Sequence, residues 1–427
     1  MVVVFVLVGV LFLSVFACLH WYVWRRTVRE TTVPGSAWRR AGTVLFAAGP
    51  VLMVGAFVGG RVGLPFWLVQ VLAWPGYLWV AIALYLLLAV VAGEAVRPLL
   101  RRWLARRDAL AVTGAERPAS SESTVVAEGS GERAGGIAVE TPPVEAQDSG
   151  PEDPARRLFV ARLVAGTAGA IAVGTVGYGT YGVLRGPRVQ RVRVPLAKLP
   201  RSAHGFRIAV VSDVHLGPIL GRGFAEKVVA TVNGTRPDLI AVVGDLVDGT
   251  VAELASAAAP LAGLRARHGA FFVTGNHEYF SGADEWTGHV QELGLRLLAN
   301  TRVELPGFDL AGVNDVAGEG YEDGPDLTAA LADRDPARAS VLMAHQPVLV
   351  HEAVKHGVDL QLSGHTHGGQ LWPMTAVAEL ANPTLAGLER FGDTQLYVTR
   401  GAGAWGPPTR VGAPSDVTVV ELVSLQA

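Results

Sequence analysis

The chain has 427 residues and a formal net charge of −2, and half of its residues are hydrophobic. A chain this apolar is expected to have a membrane-embedded part, and its near-neutral charge provides no basic field, so we expect no nucleic-acid-binding surface. The single cysteine, Cys18, excludes an intramolecular disulfide and a thiolate metal site, so that any metal ligands must come from His, Asp, Asn or Glu.

Three long apolar runs come first in the chain, at residues 2–24, 41–60 and 66–93. A transmembrane helix needs about 20 mainly apolar residues, and each run reaches that length. We therefore predict a transmembrane region with three spans over residues 1–104, with Pro75 as a candidate kink in the third span.

A change in composition separates this region from a fourth apolar run. Residues 105–157 are rich in Ser, Glu, Gly and Pro and lack periodic apolar positions, so we predict a disordered cytoplasmic linker. The fourth run, at 158–184, is predicted to be a further span. Arg156 and Arg157 precede it in a pattern that resembles a twin-arginine export signal. Two arginines also commonly flank an ordinary membrane helix, and both interpretations remain open.

The arginines around these runs predict the orientation of the chain. Clusters of arginine follow the first and the third runs, whereas only Arg61 lies between the second and the third. Positively charged loops stay in the cytoplasm, so the N-terminus and the chain beyond the fourth span are predicted to lie outside. The basic stretch at 185–201 disagrees, but large domains are translocated largely regardless of their charge.

The remaining segment, residues 192–427, has the pattern of a soluble α/β domain. Five apolar strands, each ending in polar residues, are predicted at 207–213, 239–245, 270–276, 340–347 and 359–367. Continuous apolar runs are typical of strands buried on both faces. Ligands bind at the carboxyl ends of such strands, so we expect the functional site there.

The polar residues at these five strand ends are of the types that bind metals. They are Asp213, His215, Asp245, Asn276, His277, His345, His365 and His367. A mixed oxygen and nitrogen set of this kind suits Mn²⁺, Fe²⁺ or Zn²⁺. Any one of these motifs alone is unspecific, since a lone His-x-His is more often a surface pair than a metal site. Their common position at strand ends makes a metal site the better interpretation.

The order of the motifs SDVHLG, GDLVDG, GNHEYF, AHQP and SGHTHGGQ resembles the calcineurin-like metallophosphoesterase family, over residues 207–422. The stretch YVTRGAGAWGPPTR resembles a late motif of the membrane-anchored bacterial branch. Here Pro414 precedes Ser415 and Asp416, whereas a Pro-Glu commonly follows in that branch. The resemblance implies a four-layer α/β/β/α sandwich, preceded in this chain by the α-helical transmembrane region.

The resemblance also implies two divalent metal ions, which would be Mn, Fe or Zn. One carboxylate would bridge them by giving an oxygen to each ion. The implied ligands are Asp213, His215 and His367 for the first ion, Asn276, His345 and His365 for the second, and Asp245 as the bridge. Since alternate residues of an extended segment point the same way, His365 and His367 are both expected to face the site.

His277 is the implied catalytic residue, which would stabilise charge on the phosphoryl oxygens or protonate the leaving oxygen. The alternative is that His277 only orients Asn276. The implied activity is hydrolysis of a phosphodiester or phosphomonoester by a hydroxide held between the two ions. Two alternatives are a non-catalytic metal-binding scaffold and an accessory domain of a membrane sensor.

The location suggests the partners. We expect a multi-pass protein of the bacterial cell membrane, with the lipid bilayer as a partner, the catalytic domain on the extracytoplasmic side and a lipid-linked or cell-envelope phosphoester as substrate. Asp248 is expected only to shape its loop, and Glu278 to lie near the ligands or in solvent. Trp372 and Trp405 either line an apolar groove or pack in the core, and we favour the core.

Overall fold

The computed structural model describes residues 2–115 and 154–426, and within them the chain forms two six-stranded sheets. The strands are β1 (Arg188–Leu196), β2 (Phe206–Val211), β3 (Leu239–Val243), β4 (Ala270–Val273), β5 (Leu295–Leu297), β6 (Thr301–Leu305), β7 (Phe308–Gly312), β8 (Ala339–Met343), β9 (Leu360–Ser363), β10 (Gly387–Phe391), β11 (Thr394–Val398) and β12 (Asp416–Ser424).

Both sheets are mixed and have parallel centres. The first has the order β1-β12-β2-β3-β4-β5, with β2, β3, β4 and β5 parallel and β12 antiparallel to β2. The second has the order β10-β11-β9-β8-β7-β6, with β11, β9, β8 and β7 parallel. The five predicted strands are β2, β3, β4, β8 and β9, so the carboxyl ends that carry the site motifs lie near the middle of each sheet.

Eleven α-helices occur in the described residues. They are α1 (Val2–Trp24), α2 (Ala37–Val58), α3 (Phe66–Ala115), α4 (Pro154–Leu184), α5 (Arg222–Gly234), α6 (Val251–Ala258), α7 (Asn276–Ser281), α8 (Ala283–Glu292), α9 (Leu327–Leu331), α10 (Val350–Lys355) and α11 (Met374–Ala381).

The alternation of side chains along each strand builds a core on both faces of the sheets. In β3, Leu239 and Ala241 face the other sheet, where they join Phe308 and Val341. The intervening Ile240 faces the layer of α5, α6 and α8. Helices α9 and α10 cover the outer face of the second sheet in the same way. The predicted four-layer α/β/β/α sandwich is therefore confirmed.

The membrane-type helices form where the apolar runs predict them. The segments Ala37–Val58, Phe66–Arg107 and Ala155–Leu184 are long and apolar enough to cross a membrane, and α1 forms on the first predicted run. The helices also extend into the predicted linker at 105–157, because α3 reaches Ala115 and α4 begins at Pro154. The rest of that linker lies outside the described residues.

The chain divides into two compact units. The first consists of Met1–Val44 and Leu86–Ile171, and the second of Leu45–Tyr85 and Ala172–Ala427. The second unit thus contains both sheets together with residues 45–85, which we call the hairpin: the end of α2, the turn at 59–65 and the start of α3.

Charged side chains of the first unit form a cluster around Glu30. Arg26 contacts Glu30 at 2.8 Å and Glu94 at 3.1 Å, and Arg97 contacts Glu30 at 3.4 Å. Arg162 Nε donates to the carbonyl of Thr31 at 3.0 Å. Opposite charges therefore accompany the arginines that follow the first and third apolar runs.

Candidate metal centre

The site residues follow the strands directly, in strained backbone. Asp213, His215, Asp245, His365 and His367 all have positive φ values, between 49° and 70°. Side chains other than glycine rarely adopt this left-handed region, and such strain is typical of functional sites. The segment with His365 and His367 is a turn rather than an extended strand, so the reason predicted for their shared direction is wrong, although both rings reach the site.

A glycine before His365 permits the two sheets to approach each other here. A Cβ atom on Gly364 would overlap with Ser212 Oγ and Asp213 Oδ2. The backbone N–H of His365 donates to the Asp213 carboxylate, at 3.0 Å from Oδ1. The loop after β9 thereby lies directly on the loop after β2, which brings donors of both sheets together.

The first donor group consists of Asp213, His215 and His367, whose ligand atoms all lie within 4.8 Å of one another. Nε2 of His367 is 3.3 Å from Asp213 Oδ1 and 3.0 Å from His215 Nε2. These are the three residues predicted for one ion.

The second donor group consists of Asp245, His345 and His365, again with ligand atoms within 4.8 Å. His345 Nε2 is 3.2 Å from Asp245 Oδ2, and His365 Nδ1 donates to Asn276 Oδ1 at 3.0 Å. The same Asp245 oxygen is 3.7 Å from His215 Nε2 of the first group. The structure therefore brings all seven predicted ligands together and places Asp245 between the two groups.

The donor geometry fits a cation. His345 donates through Nδ1 to the carbonyl of Val243 at 2.8 Å, so the lone pair of the neutral ring lies on Nε2. That Nε2 is buried and makes no hydrogen bond to any residue that the structure describes, although the Asp245 carboxylate is next to it. A lone pair beside a buried carboxylate is unfavourable unless a proton or a metal ion lies with them.

Burial and charge set the protonation states of these groups. Burial lowers the pKa of both His365 and His367 to about 4, which keeps these rings in the neutral form that binds metals. Burial alone would raise the pKa of Asp213 and Asp245, but the nearby histidines outweigh it and lower the pKa below its usual range. Burial lowers the pKa of His215 and His345 too, but the carboxylates of Asp248 and Asp245 outweigh it and raise the pKa of His215 to about 9 and that of His345 above its usual range, so metal binding at these two rings would displace a proton.

Asp248 orients two histidines, which is more than the predicted role of shaping its loop. His215 Nδ1 donates to Asp248 Oδ1 at 3.0 Å, which directs the other ring nitrogen of His215 to the first donor group. His277 Nδ1 lies 2.6 Å from the same oxygen. The His277 ring packs edge-on against Phe280 and Trp405, with centroid distances of 5.4 Å and 5.7 Å.

Glu278 stabilises the ligand loops by accepting hydrogen bonds from their backbone. Its carboxylate is fully buried and accepts hydrogen bonds from the N–H groups of Asp245, Leu246 and Gly275, at 2.9, 2.7 and 2.6 Å. Burial and the charge of Asp245 raise the pKa of Glu278 to about 7. Sequence reasoning left its place open between the ligands and solvent, and the structure shows it buried beneath the ligand loops.

Arg410 is a site residue that sequence reasoning missed. Its buried guanidinium donates to the carbonyl of His367 at 2.9 Å and to His367 Nδ1 at 3.1 Å, and Nε donates to the carbonyl of Gly403 at 2.7 Å. With Nδ1 accepting, the neutral His367 ring carries its proton on Nε2, so metal binding there would release a proton. The only sequence signal was the late motif, in which Arg410 is the last residue.

The favoured core position of the two tryptophans is wrong. Trp372 is 55% exposed and Trp405 is 46% exposed. Trp405 lies between His277 and Phe57 of the hairpin, with ring centroid distances of 5.7 Å and 5.9 Å. The alternative, a position beside an apolar groove, agrees with this environment for Trp405.

Comparison with known proteins identifies the family. A calcineurin-like phosphoesterase profile matches residues 206–369. A Danio rerio protein named "Transmembrane protein with metallophosphoesterase domain" is 37% identical over 259 residues, which are 57% of this chain and 59% of that protein. An uncharacterized metallophosphoesterase of Helicobacter pylori is 37% identical over 248 residues, 57% of this chain and 66% of that protein.

This chain covers less than two thirds of the length of those two relatives. It covers nearly the full length of another relative. An uncharacterized metallophosphoesterase of Aquifex aeolicus is 35% identical over 240 residues, 55% of this chain and 91% of that protein. Relatives occur in bacteria and in animals, so the family is wider than the bacterial branch suggested by the late motif. This identity over almost the whole Aquifex protein, together with the profile match, shows that the chain belongs to the calcineurin-like metallophosphoesterase family.

Proposed function

We propose that this protein is a membrane-anchored phosphoester hydrolase that works with two divalent metal ions. The observation that carries the proposal is the position of Asp245, whose carboxylate belongs to the second donor group with His345 and His365 and also lies 3.7 Å from His215 of the first group. Members of the family are named for phosphoester chemistry, and a shared carboxylate between two groups is what two neighbouring ions require.

In the proposed arrangement each donor group holds one ion. The first ion takes Asp213, His215 and His367, the second takes His345 and His365, and Asp245 contributes to both. Asn276 joins the second group through its amide oxygen, which already accepts a hydrogen bond from His365. Two bound ions would supply Lewis-acid stabilisation of a phosphoryl group and a nucleophilic hydroxide at neutral pH.

His277 has the geometry of the proton donor to the leaving oxygen. Asp248 engages its Nδ1, so Nε2 is the nitrogen that is left for the substrate. A carboxylate on one ring nitrogen fixes the orientation and tautomer of a catalytic histidine. Its side chain is 15% exposed, which leaves it accessible at the edge of the buried donor groups. The backbone N–H of His277 donates a hydrogen bond to Asp245 Oδ1 at 2.9 Å, which fixes the position of His277 relative to the proposed bridging carboxylate.

The membrane helices support a substrate found at the membrane, and the arginine pattern supports an extracytoplasmic catalytic domain. Three described helices are long and apolar enough to span, and the relative from Danio rerio is named a transmembrane protein. We propose a lipid-linked or cell-envelope phosphoester as the substrate class for this reason.

The test uses the full-length protein purified in detergent. Its metal content is measured by elemental analysis, and hydrolysis of p-nitrophenyl phosphate and bis-p-nitrophenyl phosphate is followed with added Mn²⁺, Fe²⁺ or Zn²⁺. We expect close to two ions per chain and metal-dependent release of p-nitrophenol. Bound metal without hydrolysis under any of these ions would favour the non-catalytic scaffold instead.

Two single variants test the assignment of the ligands. His365→Ala and His367→Ala are each expected to lose one ion, and the double variant is expected to lose both, because the two rings belong to different donor groups. His351→Ala, on the exposed side of α10, is the control and is expected to retain both ions. Equal loss of both ions in each single variant would contradict the division into two groups.

A further inference from the structure

We propose that the hairpin forms one wall of the substrate site, and that the substrate is a phosphoester of a membrane lipid whose apolar chain lies against the hairpin. This inference rests on the proposed phosphoesterase function and adds the part of the molecule that selects the substrate.

A cavity of about 210 Å³ opens beside the metal centre, and both the hairpin and the catalytic domain line it. The hairpin contributes Phe57, Arg61 and Tyr77, and the domain contributes His277 and Trp405, among other residues. The proposed catalytic histidine thus faces the same space as side chains from membrane-type helices. A substrate cleaved at the metal centre would contact the hairpin with the part attached to its phosphate.

Aromatic contacts connect the hairpin to the catalytic histidine. Phe57 packs against Tyr77 at 4.8 Å and against Trp405 at 5.9 Å, and Trp405 packs against His277 at 5.7 Å. A second contact comes from Tyr85, whose hydroxyl donates to the carbonyl of Trp372 at 2.8 Å. These contacts hold the wall in place on the domain.

The chemistry of the cavity suits an amphiphile. Its apolar lining includes Phe57, Phe66, Val69 and Phe280, which can pack against a hydrocarbon chain. Arg61 adds a cation at the turn of the hairpin, and among the described residues only its Nη1 makes a hydrogen bond, to the carbonyl of Phe57 at 2.7 Å. A guanidinium with free donors binds the anionic oxygens of a phosphate head group.

The position of the hairpin turn favours a membrane lipid as the substrate. Both helices of the hairpin belong to segments that are long and apolar enough to span a membrane, so the turn between them lies where lipid head groups lie. Helix α11 begins two residues after Trp372, whose carbonyl accepts the hydrogen bond from Tyr85 of the hairpin. None of its residues is buried, and Val377 and Leu380 are 56% and 90% exposed. Exposed apolar side chains beside a membrane helix are expected at a membrane surface.

The test compares two substrates with the same phosphate and different chains. Long-chain and short-chain alkyl phosphoesters, of the class that the protein cleaves, are assayed with the full-length protein in mixed micelles. We expect kcat/KM to favour the long chain by about tenfold or more, since burying roughly two further methylenes against the wall already accounts for a factor of about ten. Phe57→Ala should lower this preference several-fold, mainly through KM. Arg61→Ala should instead raise KM several-fold for both substrates, because they share the phosphate, and Arg61→Lys should restore part of the lost affinity.

Controls separate the possible failures. Arg267→Ala, on an exposed arginine outside the cavity, should keep the wild-type preference, and unchanged metal content shows that a variant is folded. A wild-type protein that cleaves both chains equally, a Phe57→Ala variant that keeps the full preference, or an Arg61→Ala variant with unchanged KM would overturn the inference while leaving the proposed function intact. Absence of all metal-dependent hydrolysis would refute the proposed function, and the inference with it.

Discussion

Two regions border the cavity, and they are built in opposite ways. The strand-end loops are buried and strained: Asp213, Asp245 and Glu278 are at most 2% exposed, and five site residues have left-handed backbone. The hairpin turn at 59–65 is largely exposed and contains Gly59, Gly60 and Gly63. This difference teaches that the candidate metal ligands are preorganised by the sandwich, whereas the proposed wall for the substrate chain is held by a few aromatic contacts and one hydrogen bond.

The contrast leads to an ordered set of expectations. Changes in the loops should damage metal binding, catalysis or folding, because their groups have few alternative partners in the interior. Changes in the hairpin should have small effects on stability, because its turn is solvated.

The largest effect is expected for Asp245→Asn. The shared carboxylate lies between both donor groups, so its loss should remove metal and lower kcat by about 10³-fold or more, which corresponds to roughly 4 kcal/mol. Elemental analysis and turnover of an aryl phosphoester check this together. Asp333→Asn, at an exposed carboxylate, is the matched control. An Asp245→Asn variant with normal metal content and rate would remove the basis for two ions.

Glu278→Ala tests how far the loops depend on buried support. Three buried N–H groups lose their acceptor, and each unsatisfied group costs about 1–3 kcal/mol. The free energy of unfolding should therefore fall by roughly 3 kcal/mol or more, visible as a lower midpoint in thermal unfolding of the detergent-solubilised protein. Glu285→Ala, at an exposed glutamate in α8, should shift the midpoint little. Equal shifts in both variants would show that the buried carboxylate is not a support of the loops.

Asp248→Asn tests positioning of His277 and His215. Removing the charge that orients both rings should lower kcat by about 10- to 100-fold, with a smaller change in KM, as for other groups that orient metal ligands. If only the thermal stability falls, Asp248 merely shapes its loop.

The smallest effect is expected in the hairpin, for Tyr85→Phe. It removes one hydrogen bond, from the Tyr85 hydroxyl to the carbonyl of Trp372, and a single hydrogen bond contributes about 0.5–1.5 kcal/mol. Thermal unfolding should show a shift well below that of Glu278→Ala. Tyr181→Phe, at an exposed tyrosine, serves as the control. A shift as large as that of Glu278→Ala would mean that the hairpin is as integral to the domain as the loops are.

Much of the fold and the ligand set can be predicted from local patterns. Apolar runs mark the membrane-type helices and the buried strands, since burial on both faces demands continuous hydrophobic residues. The order of the five strand-end motifs indicates the family and seven candidate ligands, which the structure brings together. The orientation in the membrane and the twin-arginine signal stay predictions, because neither is a property of the fold.

Tertiary structure decided what depends on contacts between distant parts of the chain. Arg410 reaches His367 across 43 positions, and Phe57 reaches Trp405 from a different apolar segment. Such contacts have no local periodicity, because they depend on how loops close after the sheets have packed. For the same reason, sequence alone determined that His365 and His367 are candidate metal ligands, and only the folded loops decided that a left-handed turn brings them to the other candidate ligands.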